Sequence, residues 1–145
     1  MNAKIDTGLD KSERGGVAEA LTKVLADSQA VYQKTHGYHW NVRGPSFFSV
    51  HNLLEQQYRE IWAALDEIAE RIRALGVLAP QSASAFANLT AIKDGDPEKE
   101  AEDMLRELMK DHEAVIATAR DGIKVAGEAG DEASVDLLTQ RLAAH

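Results

Sequence analysis

The stretch that decides the fold runs from Tyr38 to Glu70, YHWNVRGPSFFSVHNLLEQQYREIWAALDEIAE. His39 and His51 flank a short Gly44-Pro45 break, and Glu55, Asp66 and Glu70 follow on one long helical pattern. At about 100° per residue, with His51 at zero, Glu55 falls near 40°, Asp66 near 60° and Glu70 near 100°. Phe47, Leu54, Ile61, Leu65, Ile68 and Ile72 gather instead at roughly 260–320°, the pattern of a core face. The polar stripe is a second face, lying beside the core.

One copy of this stripe cannot close on one metal. Glu55 and Asp66 stand roughly 16 Å apart along a helix axis, whereas metal–ligand bonds are about 2 Å long. A second copy laid antiparallel across a two-fold axis removes the difficulty. His51 of one copy then meets Glu70 of the other, and Glu55 meets Asp66, in a single register, as an isologous interface requires. The stripe therefore predicts two identical His/carboxylate sites per dimer. A solvated acidic face is the plainer alternative, and spacing by itself leaves both open.

The rest of the chain sets bounds. Its 145 residues suit a single domain with a full core. Apolar residues make up 44% and charged ones 28%, so the chain is globular rather than disordered. There is no cysteine, which excludes disulfides and thiolate metal sites and is compatible with a reducing compartment. No signal peptide or membrane-length apolar run is visible, so no membrane role is expected and the cytoplasm is the expected location, with nucleoid association left open. The net charge of −8 argues against a dominant phosphate-binding surface.

Helical periodicity recurs outward from the central stretch. Residues 1–16 are polar, close on Gly15-Gly16 and read as a mobile tail. One domain is expected over 17–145. Its first helix is predicted from about Val17 to Val42 and ends at Arg43-Gly44-Pro45; the second runs to about Leu75, with Ser46 as its N-cap. Residues 77–96 form a long connection in which SASAFANL can make a short helix. A third long helix is predicted from Pro97, capped by Asp96, to about Ala126, and a fourth after Asp131. Its final residues, Leu142 to His145, hold no Gly or Pro, and that helix is expected to continue beyond His145. A connection this long implies a crossover, so the second and third long helices run the same way. Four long helices with one crossover make an all-α, ferritin-like four-helix bundle.

HWNVRGPSFFSVH, followed by LLEQQY and LDEIAERI, resembles the Dps proteins, the mini-ferritins. The resemblance covers the chain from about Leu21 to His145. It implies a hollow shell of twelve subunits, a homododecamer, with ferroxidase sites shared at its two-fold interfaces. His39, His51 and Glu55 match the family's ligands from one subunit, and Asp66 and Glu70 match those from its neighbour. The implied cofactor and substrate is iron: two Fe(II) are oxidised by hydrogen peroxide and the ferric mineral is stored inside, which protects the cell and its DNA from oxidative damage. The family usually has Asp where this chain has Glu55, which leaves open how fully a second metal is held. The donor set suits that chemistry, since imidazole and carboxylate accommodate Fe(II). None of the five histidines follows a Glu at the Glu-x-x-His spacing that ordinary di-iron bundles place within one subunit.

Other residues need two readings. Trp40 and Trp62 are most simply packing residues, although an aromatic ring beside a peroxide-using site also absorbs stray oxidising equivalents. Asp131, Glu132 and Asp136 open the last helix, where acids favour the helix dipole; in the resemblance they line an acidic pore that draws Fe(II) inward. His36, one turn before His39, is expected in a surface or capping role, with a place behind the His39 ligand as the alternative, and Asp111-His112-Glu113 on a solvated face. Two rival functions stand beside the ferroxidase, a DNA-compacting nucleoid protein and a structural helical oligomer without iron chemistry.

The tail argues against the first rival. Lys4, Lys11 and Arg14 are balanced by Asp6, Asp10 and Glu13, so few cations are offered to displace the counterions of a duplex. Weak or absent DNA binding is therefore predicted. In a gel shift with plasmid DNA at low salt and without divalent metal, the assembled protein should leave the DNA unshifted. A tight complex that dissolves steeply as salt rises would contradict the charge argument.

Overall fold

The computed structural model describes residues 4–145. Its helices are, in order, α1 (Lys11–Asn41), α2 (Phe47–Ala74), α3 (Ala83–Leu89), α4 (Ala101–Glu128) and α5 (Glu132–Ala144), with no strand among the described residues. No helix among them is long and apolar enough to cross a membrane.

Side-chain pairs give the direction of each helix. His39 lies against His51 and Tyr32 against Tyr58. Moving back along α1 thus moves forward along α2, so the two are antiparallel. The pairs Tyr38–Glu107, Lys34–Asp111 and Asp27–Thr118 make α4 antiparallel to α1 as well. Two helices antiparallel to a third are parallel to each other. The connection between α2 and α4 must therefore cross the length of the bundle, and it carries α3 on the way. α5 returns against both, with His112 paired to His145 and Glu60 to Arg141. This is the expected four-helix bundle with one long crossover and a short helix inside it.

The core follows the apolar faces. Leu54, Ile61, Ile68 and Ile72 of α2 are buried against Leu21, Val24 and Val31 of α1, Met104, Leu108 and Val115 of α4 and Leu138 of α5. Each such large aliphatic side chain contributes about 1.5–3 kcal/mol on burial. Between α1 and α2 the chain reverses within five residues, and Gly44 takes φ +106°, which a side chain would resist.

Two boundaries differ from the periodicity. α1 begins at Lys11 rather than Val17. Asp10 accepts from the Glu13 amide and Glu13 accepts from the Asp10 amide, each at 2.8 Å, which closes a capping box. That cap, with packing further along, outweighs the roughly 1 kcal/mol that Gly15 and Gly16 each cost a helix. Residues 11–16 of the expected tail are thus helical, and residues 1–3 lie outside the described residues. α4 begins at Ala101 rather than Pro97. Asp96 accepts from the Glu98 amide at 2.9 Å and so caps a separate turn before the helix.

Buried polar groups fix the crossover. Asp27 accepts from the Thr90 hydroxyl at 2.6 Å, the Ala91 amide at 3.3 Å and the Thr118 hydroxyl at 2.8 Å, tying α1, α4 and the connection together. Lys34, buried, pairs with Asp111 at 2.7 Å, and Tyr38 donates to Glu107. Gly95 passes so close to Tyr38 that a Cβ there would stand 2.8 Å from the ring.

The turn into α5 is held in the same way. Asp131 caps the helix by accepting from the Ser134 amide at 3.1 Å and pairs with Arg71 of α2 at 2.8 Å. Burial pushes the Asp131 carboxyl up, but bonds from Ser134 and Arg71 outweigh it and hold it below its ordinary value. A carboxyl depressed by folding adds stability above its unfolded pKa of about 3.9 and loses it as pH falls through the folded value. Asp131→Ala should therefore destabilise the fold by about 2 kcal/mol at neutral pH, and the deficit should shrink in acid below about pH 4. Denaturant titrations at several pH values check this; a deficit of the same size at pH 7 and pH 3 would contradict it.

Candidate metal centre

The end of α1 and the start of α2 bring two imidazoles face to face. The rings of His39 and His51 stack with centroids 3.7 Å apart and planes 17° from parallel. Nδ1 of His39 lies 2.8 Å from the His51 carbonyl, and Nδ1 of His51 lies 2.8 Å from the His39 carbonyl. A carbonyl only accepts, so each Nδ1 carries a proton, and in the neutral ring the lone pair is then the one on Nε2. The His39 carbonyl belongs to the last turn of α1, where no intrahelical partner exists; His51 supplies one. A ring whose Nδ1–H is held by a carbonyl is set up to bind metal through Nε2.

Glu55 follows His51 by one turn. Nε and Nη2 of Arg59 donate to its Oε1 at 3.1 and 2.8 Å. Those bonds outweigh the opposing effect of burial and hold the Glu55 carboxyl below its ordinary range, and the charge of Arg59 acts the same way. Glu55 is thus ionised, one helical turn after His51 and bonded to Arg59. Asp66 and Glu70 sit exposed on the same helix, roughly 16 Å and more beyond Glu55 along the axis. No three His, Asp or Glu side chains among the described residues converge as one ligand group. A single chain therefore presents a His/His/Glu half and an Asp/Glu half at separate heights of one stripe.

The aromatic surroundings were only partly legible. Trp40 and Trp62, expected as packing residues, are 67% and 64% exposed, so neither packs into this chain's core. Phe47, expected on the core face, is 43% exposed and stacks on His51 at 4.9 Å. His36 is half-buried and takes the alternative place, packed among aromatic rings beside His39. It stacks on Tyr58 at 3.9 Å and leans on Trp40 at 4.3 Å, while Tyr58 meets His39 edge-on at 5.2 Å. Burial, then the neighbouring His39 and Arg59, push His36 below its ordinary pKa. Sequence reasoning missed Tyr58 and the Arg59–Glu55 bond. The signal was present in both cases, since Tyr58 lies two turns after His51 and Arg59 one turn after Glu55.

The remaining candidates divide. Glu132 and Asp136 are exposed on the first turns of α5. Asp131, expected beside them in a pore, is instead 4% exposed and committed to Arg71 and Ser134. Asp111-His112-Glu113 is not a solvated face. Asp111 pairs with the buried Lys34, His112 shares a 2.7 Å bond with His145, and only Glu113 is exposed.

Two imidazole nitrogens and an ionised carboxylate make a donor set that fits Fe(II), Zn(II) or Co(II). Comparison with known proteins accords with that fit. A family model for the ferritin-like domain matches residues 18–145. DNA protection during starvation protein 2 of Bacillus anthracis is 35% identical over 122 residues, 84% of each chain. An uncharacterised low temperature-induced protein of Nostoc is 38% identical over 98% of this chain and 80% of that protein. The crystal structure of a Dps protein from Vibrio cholerae O1, described as a ferritin-like diiron-carboxylate protein, superposes with a TM-score of 0.92 at 31% identity, covering 99% of this chain and 91% of that one.

Proposed function

Because the chain belongs to the Dps family of ferritin-like proteins, we propose that it is a ferroxidase whose metal sites are completed only between two copies. At the level of the family, its function is iron storage and protection against oxidative damage. The reading beyond that rests on one observation. His39 and His51 hold each other's Nδ1–H on backbone carbonyls, which fixes the direction of both Nε2 atoms, and the ionised Glu55 follows one turn later.

Asp66 and Glu70 complete the site from a second copy. They lie on the same exposed stripe of α2, and the two-fold register brings Glu70 to His51 and Asp66 to Glu55. Trp62 is exposed on that stripe and Trp40 beside His36, where the second copy would cover them. Fe(II) is the substrate. His39 and His51 bind it, the carboxylates balance the charge of Fe(II) and then Fe(III), and the buried core beneath α2 keeps the ligand spacing rigid. Two Fe(II) each give one electron to hydrogen peroxide, two protons are taken up, and the O–O bond ends as two waters. Pairwise oxidation releases no hydroxyl radical. Twelve such subunits form a shell, the ferric product is stored within it, and the cytoplasm is the place of action. Lys11 and Arg14 lie within the first turn of α1, where Arg14 donates to the Leu9 carbonyl, which also disfavours the DNA-compacting alternative.

Complementation tests the shared site. His51→Ala and Asp66→Ala shells should each lose peroxide-driven Fe(II) oxidation, and shells reassembled from both should recover part of it, because one class of interface joins two intact halves. Verified mixed shells that stay inactive would argue strongly against a centre built in trans.

Glu132 and Asp136 serve entry, drawing Fe(II) towards the shell by their field. Replacing them by Gln and Asn should slow iron loading several-fold at low salt, less at high salt, and leave binding at the two-fold centre intact. Loading curves that superpose on the unmodified protein's at low salt would remove these two residues from the entry path.

A further inference from the structure

The centre proposed above already contains a cation. Both donors of Arg59 converge on Oε1 of Glu55, at 3.1 and 2.8 Å, and the guanidinium is the foremost influence on that carboxylate's charge. Placed on the same wheel, Arg59 falls near 80°, between the directions of Glu55 and Glu70. It is therefore on the ligand stripe rather than behind it. The pair has the favourable order, acid one turn before base on a helix. Glu55 makes the contact possible, because its extra methylene carries the carboxylate towards the next turn.

In that same position Arg59 also touches an aromatic ring. Its guanidinium carbon lies 5.6 Å from the centroid of the Tyr58 ring, within the range of a cation–π contact. Tyr58 is itself held by His36 and by the edge of His39. At 68% side-chain exposure in the single chain, Arg59 is not part of that chain's core, and leaving the carboxylate does not disturb it. A divalent ion and a guanidinium repel each other, and both seek the same carboxylate.

We propose that Arg59 is the internal counter-cation of the metal-free centre, occupying Glu55 until an arriving metal displaces it from the carboxylate. The displacement weakens metal binding and sets how much free Fe(II) is needed to fill the site. After oxidation and transfer of the iron, the returning guanidinium closes the site again. Arg59 is a positioning residue here and does not bind metal. This inference rests on the two-fold centre of the preceding section.

Anaerobic calorimetric titration of assembled protein with Zn(II), which undergoes no redox change, tests it without turnover. Arg59→Gln should bind Zn(II) roughly tenfold more tightly than the unmodified protein, about 1.4 kcal/mol. Arg59→Lys, which keeps the charge, should stay close to the unmodified affinity. Unchanged or weaker binding by Arg59→Gln overturns the proposal, and so does a Lys variant as tight as the Gln variant. His51→Ala and Asp66→Ala are titrated alongside. If they abolish the Zn(II) isotherm while Arg59→Gln leaves it unchanged, only the role of Arg59 fails. If they leave it intact, the two-fold centre fails and this proposal with it.

Discussion

A helix advances about 1.5 Å per residue, and that rise governs everything else about this site. It puts Glu55 and Asp66 too far apart to share a metal, although both point from one stripe of α2. In the account proposed here a second helix, running the other way, brings the halves together. The bundle serves that constraint. Its core residues Leu54, Ile61, Ile68 and Ile72 are fully buried along nearly the whole of α2, which keeps the helix straight and the spacing of the stripe fixed. The α1–α2 corner then adds His39, which α2 alone does not carry.

The stiffness of that corner comes from exchange between two elements. Each histidine satisfies a backbone carbonyl of the other's helix, so the same two bonds close the turn and select the tautomer. Fold and chemistry share their parts here. Elsewhere they are kept separate: Asp131, Arg71 and Ser134 anchor α5, while Glu132 and Asp136 on the next turns stay exposed.

What the sequence revealed follows from what periodicity can report. The core face of α2, the crossover and the stripe are repeats at helical spacing, and they were legible. The start of α1 was not, because glycines weaken a helix without forbidding it, and the Asp10–Glu13 box that overrides them lies before the first apolar repeat. Asp131 shows a second limit. A cap and a pore acid look the same in one dimension, and burial against Arg71 separates them. Trp40, Trp62 and Phe47 show a third. Apolar residues imply burial, but the chain in which they are buried need not be their own, and here they are exposed on the side of the bundle that carries the proposed ligands.

The most direct test of the shared centre is anomalous diffraction from crystals of the assembled protein soaked anaerobically in Fe(II). The account predicts a metal peak held by His39, His51 and Glu55 of one subunit and by Asp66 and Glu70 of its two-fold neighbour. Iron ligated within a single chain, or found elsewhere while Asp66 and Glu70 face open solvent in the assembly, would contradict it.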